Sequence, residues 1–360
     1  MFMISAVATL LLVIVTALPL SKKPHWSIRG LDFPRLQIAF LAAALLVIHG
    51  VFLELDSGST WLLISATALC FFWQLCWVLP YTMIWPKEVK AAKATDLDRQ
   101  LSIITANVLQ TKRNSEALID LVNQYQPDIL VTLESDQWWE DKLNALEVEM
   151  PHSVKCPLDN LYGMHVYSRL PFSKEQVSYL VEQGVPSIHL CLELRSGDTV
   201  QMHFVHPAPP SPTENTESIE RDADLIIIAR RGAESAQPVI VTGDLNDVAW
   251  SATTRLFRKI SGLLDPRVVR GMFNTFHVSF PFLRWPLDHL FHSAHFTVKH
   301  IQRLPSIGSD HFSLFTRLVY EPAERASQIG LTASDEDYAE AKRVAQAKGV
   351  SKEDVPSLSD

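Results

Sequence analysis

Little in this chain points to disulfides, to zinc or to a long polyanion. Four cysteines are spread over 360 residues, Cys70 and Cys76 inside an apolar stretch and Cys156 and Cys191 standing alone. None has C-x-x-C spacing, so neither a disulfide framework nor a redox or zinc site is implied, which fits a reducing compartment. There is no H-E-x-x-H run, the helical signature of zinc hydrolases. His289, His292 and His295 cluster near His300, but they follow an apolar strand-like run, so zinc is only the rival metal reading. A basic excess is missing too. The formal net charge is −8, and residues 99–320 hold 20 Lys or Arg against 25 Asp or Glu. Proteins that grip long nucleic acids usually carry a basic footprint. Arg255, Arg258, Lys259, Arg267 and Arg270 offer either a local basic rim or, the reading favoured here, a solvated helix face. There are no internal repeats.

Apolar residues, by contrast, are plentiful. They make up 47% of the chain, mean hydropathy is slightly positive at +0.08, and the excess is concentrated at the start. Residues 1–20, 36–53 and 60–85 contain no charged side chain. Each stretch is long enough for a membrane-spanning helix, so helices are expected near 1–20, 36–55 and 60–85. A cleaved signal peptide is disfavoured for the first because no Lys or Arg precedes its apolar run. The third carries Trp61, Trp73, Trp77, Tyr81 and Trp85, with the rings concentrated towards its second half like interfacial anchors. Lys22, Lys23, Arg29 and Arg35 face only Asp32 in the first loop; the second holds Glu54 and Asp56; Lys87, Lys90 and Lys93 follow the third stretch. The positive-inside rule then places the N-terminus outside and everything after residue 86 in the cytoplasm, as an integral protein of the inner or plasma membrane.

The expected organisation is a transmembrane region over 1–86, a charged linker over 87–98, a large α/β domain over 99–320 and an acidic mobile tail over 321–360. Strand-like runs occur at 101–109, 128–133, 190–194, 200–206, 238–242, 287–292 and 312–319. Asn114 or Ser115 can cap a helix that places Leu118, Leu121, Val122 and Tyr125 on one face. A second helix is expected over 214–231, and Asp247 can cap a third running towards Ile260. Pattern alone implies two or three α/β layers with mostly non-sequential strand pairing. The tail has nine acids against five bases and few apolar residues, so no core is expected there.

Polar residues recur at the ends of these apolar strands. Gly243-Asp244-Leu245-Asn246 follows a strand, and the glycine allows a sharp turn that exposes the next side chains. Asp244 and Asn246, two apart, would face the same way, one towards a water and the other towards a phosphate. An ordinary turn with a helix cap is the plain alternative. Ser309-Asp310-His311 precedes a strand, and Leu287-Asp288-His289 lies in another. An Asp beside a His can fix its tautomer and stabilise its charge, though each pair alone could be a surface turn. Asn107 and Glu134 end the first two strands, where oxygen donors suit a hard cation; Glu134 could instead cap the helix with Trp138 and Trp139. His203 and His206 are three apart and so face opposite sides of their strand, which favours the terminal His206 for the site.

Taken in order, Asn107, Glu134, His206, the 243–246 run, Asp288 and the 309–311 run resemble the endonuclease/exonuclease/phosphatase superfamily, in a membrane-anchored, bacterial-type form. The run 163–171 is similar to that family's glycine-to-serine-arginine strand. The resemblance covers about 99–320 and implies a four-layer α/β/β/α sandwich. It further implies that Asn107 and Glu134 belong to a Mg2+ (or Mn2+) site, with Asp310 a further metal or water contact. Asp244 would orient the attacking water, Asn246 and His206 would hold the phosphate, and His311 with Asp288 would handle protons or transition-state charge. Leu109 departs from members that carry a second acid two residues after the asparagine, which leaves the number of metal ions open. The expected function is a metal-dependent hydrolase of phosphodiesters or phosphomonoesters, with nucleic acid, a lipid headgroup or a small phosphodiester as substrate. The alternative is an inactive membrane-bound binding or scaffold protein on the same fold. Besides substrate and bilayer, no obligate protein partner is implied.

Overall fold

The computed structural model describes residues 1–94 and 96–358. The chain opens with α1 (Phe2–Ala17), the single turn α2 (Trp26–Arg29), α3 (Arg35–Phe52) and α4 (Gly58–Val78). With their flanking turns, the three long helices form apolar stretches of 20, 18 and 24 residues, enough to cross a bilayer. Leu10, Leu11, Phe40, Leu41, Leu62 and Leu69 are exposed on them, as suits contact with lipid rather than water. Polar contacts lie inside the bundle instead: Thr9 Oγ1 is 3.2 Å from Thr67 Oγ1 and 3.4 Å from His49 Nε2. Such hydrogen bonds between small polar residues hold helices together in membranes.

The first sheet is ordered β10-β11-β1-β2-β4-β3 and the second β5-β6-β7-β8-β9. In chain order the strands are β1 (Gln100–Asn107), β2 (Ile129–Leu133), β3 (His152–Cys156), β4 (Met164–Ser168) and β5 (Phe172–Ser178). They continue with β6 (Ser187–Glu193), β7 (Thr199–Val205), β8 (Val239–Asp244), β9 (Asp288–His292), β10 (Phe296–Arg303) and β11 (Leu314–Tyr320). The β1–β2 and β7–β8 pairs are parallel and the remainder antiparallel.

Strand periodicity builds the layers. Leu101, Ile103, Ile129 and Val131 from the first sheet pack against Met202, Phe204, Ile240 and Leu290 from the second. The alternate residues Ile104, Ala106 and Leu130 face α5 (Ser115–Tyr125) and α6 (Gln137–Leu143) on the outside. On the far side, Val239, Val241 and Phe291 face α7 (Ile219–Ala233) and α8 (Ala252–Ser261). The result is the four-layer α/β/β/α sandwich. Strand pairing is mostly sequential, contrary to expectation: only β11–β1 and β2–β4 join strands that are not consecutive. The expectation failed because strands such as β5, largely exposed and carrying Lys174 and Glu175, show no buried-strand pattern.

Two flanking segments are more firmly attached than composition implies. In the charged linker, Val89 is buried, Glu88 pairs with the buried Arg258, and Ala91 bridges to Val298. The acidic tail, expected to be mobile, forms α9 (Asp335–Ala347), which buries Ala341 and Ala345 against the α7–α8 layer, with Val355 beside them. Two alanines on one helix face suffice because the small side chains allow close approach. Asp247 does not cap α8; Ser251 does, accepting from Thr254 N at 2.9 Å. The first interhelical loop also lies on the sandwich. Trp26 N donates to Thr216 O at 3.0 Å, Ser218 N to Pro24 O at 2.8 Å, and Trp250 Nε1 to Asp32 O at 2.9 Å.

Candidate active site

The parity that builds the inner core also builds the site. Asn107 continues the inward-facing set of β1, and Asp244 continues that of β8. Because β1 and β2 run parallel, as do β7 and β8, their C-terminal ends bring Asn107, Glu134, His206 and Asp244 to one edge of the slot between the sheets. Thr105 and Thr242 tie the sheets together just beneath, with hydroxyls 2.8 Å apart.

Asn107 Nδ2 donates to Glu134 Oε1 at 2.7 Å and to Asp244 Oδ2 at 3.3 Å. His311 Nδ1 lies 2.8 Å from Asp288 Oδ2, and its Nε2 lies 3.5 Å from Asp244 Oδ2. Asn246 is close by: its N–H donates to Asp244 Oδ1 at 2.8 Å, and its amide donates to Pro207 O at 3.1 Å, next to His206. Its side chain is therefore committed partly to holding the loop after β7. Asp310 is half-buried at the rim and accepts from Ser309 Oγ at 3.2 Å. The structure thus gathers Asn107, Glu134, Asp244, Asp288 and His311 tightly, with His206, Asn246 and Asp310 around them.

Gly243 serves close approach rather than a turn. It sits in the ladder opposite Val205, where a Cβ would lie 1.8 Å from Val205 O, and its φ is +151°. A side chain there would part β7 from β8 and displace Asp244.

Charge is distributed unevenly. Burial pushes the Glu134 carboxyl up to about 7 despite its Asn107 hydrogen bond, and its Oε2 has no partner. Burial also raises Asp244. For His311, burial acts downward, but the Asp288 and Asp244 carboxylates outweigh it and hold the imidazole up at about 10. His206 is pushed down to about 4 by burial and is neutral, with Nδ1 unbonded. Asp244, Asp288 and His311 bring ligand-type atoms within 4.8 Å of one another, the one group of three metal-capable side chains among the described residues. An unpartnered buried carboxylate oxygen on Glu134 beside three further acids suits a hard cation.

The rival zinc set does not assemble. His289 lies between Asp247 O and Arg267, while His292 and His295 both bond Ser293. The arginine cluster is neither a basic rim nor a solvated face. Arg258 is buried against Glu88, Arg267 against Asp265, and Lys259 pairs with Asp337. Arg255 lies over the Trp77 ring, and Arg270 donates to Val89 O.

Several neighbours carried no sequence signal. The Tyr162 ring lies 5.3 Å from His206 and the Phe276 ring 4.8 Å from His311. Thr275 Oγ1 accepts from Asp288 N at 3.3 Å. They come from loops with no local pattern.

The sequence profile of the Endonuclease/Exonuclease/phosphatase family matches residues 104–311, from β1 to His311. Among solved structures, the chain is similar to D. rerio TDP2 humanized by 14 mutations, at 17% identity and TM-score 0.52, over 61% of this chain and 99% of that one. It is similar to D. rerio TDP2 complexed with a single-strand DNA product, at 18% identity and TM-score 0.51, over 61% and 98%. It is also similar to the human Nocturnin catalytic domain with bound sulfate, at 19% identity and TM-score 0.51, over 63% and 96%. At such identities these likenesses concern the fold alone. No curated protein sequence matches the chain.

Proposed function

The chain belongs to the Endonuclease/Exonuclease/phosphatase family, and from that membership we propose that it is a Mg2+- or Mn2+-dependent hydrolase of phosphoesters in a membrane. The observation that carries this reading is the convergence of Asn107 and Glu134 with the Asp244–His311–Asp288 chain of contacts. Glu134 and Asn107, with Asp310, hold the cation; the unpartnered Glu134 Oε2 is the atom that most needs it. When bound, the ion neutralises phosphoryl charge and makes a coordinated water more acidic. His311 is the poorer ligand, because two carboxylates keep a proton on its ring.

Asp244 orients the attacking water and takes its proton. Neutral His206 and the Asn246 amide bind the phosphoryl oxygens. Cationic His311, held by Asp288 through Nδ1, balances charge as the ester P–O bond breaks and supplies a proton to the departing oxygen. The test is hydrolysis of bis(p-nitrophenyl) phosphate by the full-length protein in detergent. Chelation should abolish turnover and Mg2+ or Mn2+ should restore it. Restoration by zinc alone would make the protein a zinc hydrolase, and no turnover with any cation would leave an inactive scaffold; either result would sink this reading.

The surroundings favour a lipid headgroup as the phosphodiester. The hairpin that begins at Phe276 and returns at Trp285 touches the site at its base, where Phe276 lies on His311 and Val278 N donates to Asp310 O at 2.8 Å. Its tip leaves Phe280, Phe282 and Leu283 exposed, and Gln37 in the first turn of α3 donates to Phe282 O at 2.7 Å. Three bare apolar side chains beside a membrane span suit the bilayer interface. The docking of the first loop on the catalytic domain supports placing both on one side of the membrane, and the loop's four basic residues favour the cytoplasm for that side. Phospholipid in vesicles should be cleaved faster than a single-stranded oligonucleotide. Phe282→Ser should slow the vesicle reaction while sparing bis(p-nitrophenyl) phosphate; the reverse preference would return nucleic acid to the front.

A further inference from the structure

Where the spans meet the catalytic domain, away from the active-site residues, lies a cavity of about 340 Å3. Leu20, Trp73 and Trp77 form one apolar wall from the ends of α1 and α4, and Ile226, Leu256 and Val344 form the facing wall from α7, α8 and α9. The cavity therefore opens at the level where a span gives way to the cytoplasmic domain, the depth of lipid headgroups. Tryptophans at this depth are characteristic of the interface.

Its charged lining is unevenly paired. Of five acids, Asp32 is taken by Arg35, Asp222 by Arg221, Asp337 by Lys259 and Glu340 by Arg343, which leaves the exposed Glu336. On the cationic side, Arg29 is nine-tenths buried, its Nε has no partner, and its side chain makes no direct hydrogen bond or ion pair with a described residue, feeling Asp32 and Glu340 only at longer range. Arg255 lies 4.7 Å from the centroid of the Trp77 ring and has no polar partner among the described residues either. Lys22, exposed at the rim, adds a third cation that feels Glu340 at longer range. A guanidinium withdrawn from water without an acceptor is costly, and its fork of donors matches phosphate oxygens.

We propose that this cavity binds the phosphate headgroup of an anionic phospholipid, held by Arg29 and Arg255, with its acyl chains beside α1 and α4. The bilayer is the source because the apolar wall continues into the spans. Bound there, the lipid fastens α7, α8 and α9 of the catalytic domain to the membrane helices. The site is separate from the catalytic centre, and the proposal does not depend on the reaction.

The experiment is native mass spectrometry of full-length protein released from nanodiscs of phosphatidylcholine containing a minority of phosphatidylglycerol. Wild-type protein should retain one phosphatidylglycerol in preference to the abundant neutral lipid. The double variant Arg29→Gln, Arg255→Gln should retain about tenfold less or lower, the scale of losing a charged hydrogen bond, whereas Arg29→Lys should keep most of it. Circular dichroism checks folding, and the wild-type lipid preference decides the question even if the double variant does not fold. Equal retention of both lipids, undiminished retention in a folded double variant, or displacement of phosphatidylglycerol by dissolved glycerol phosphate would each overturn the proposal.

Discussion

His311 and Asp288 touch through a 2.8 Å contact in a site with almost no water access, so their effects on turnover should be shared. His311→Ala is expected to lower the rate by roughly 10²–10⁴-fold, the range for positioned acid–base or electrostatic groups. Adding Asp288→Asn to that variant should cost little more, as for residues that act as a unit. Additive losses in a double-mutant cycle would give the two separate roles. Glu134 supports a pH prediction. Its carboxyl rises from 4.5 to about 7 on folding, so the native state holds the proton longer and stability falls as pH rises through that window. A cation that binds the charged form relieves this penalty and competes with the proton below it. Mg2+ should therefore raise the melting temperature more at pH 8 than at pH 5, and Glu134→Gln should remove the difference; equal shifts at both pH values in wild type would take the ion away from Glu134. At Gly243, a Cβ 1.8 Å from Val205 O cannot be accommodated without moving a strand. Gly243→Ala should cost about 1–3 kcal/mol or more in urea unfolding, as overpacking does.

At the scale of elements, the linker and the tail behave as parts of the catalytic domain. Glu88, itself half-buried, neutralises the buried Arg258. A chain starting at Asp96 would strand that arginine, whereas one starting at Lys87 would keep the pair. Breaking a buried ion pair from one side costs about 3–5 kcal/mol, so the longer chain should be the more stable by about that margin in denaturant, and equal midpoints would show that Glu88 is dispensable. Neither docking was legible beforehand. A segment with nine acids and five bases reads as solvated, because composition counts residues without saying which face meets a neighbour. The strands that emerged clearly were those buried on both sides, such as β1, β2 and β8, whose continuous apolar runs announce them. The edge strand β5 was silent because residues 173–176 are all exposed, which leaves no alternation to read.

Across the whole molecule, the catalytic edge, the apolar hairpin and the first interhelical loop all lie towards the membrane helices. The topology is open to a reporter test: a fusion after Asp360 and one within the first loop should report the same side, with the N-terminus opposite.

The sequence by itself determined the apolar spans, the alternation of strands and helices, and the identity of the polar residues closing each buried strand. These are local properties: a run of apolar side chains must be buried, and a polar residue at its end must lie at an edge. It also carried the family resemblance through Asn107, Glu134, His206, Asp244 and His311, whose order along the chain survives whatever the packing. Only the tertiary structure decided which strands pair, that Arg258, Lys259 and Arg267 are spent on ion pairs, that α9 docks, and that Arg29 and Arg255 are left without an ion pair beside the apolar helices. Those facts depend on which charges face each other across distant segments. A residue's type tells what it could bind; only its neighbours in space tell what it has already bound.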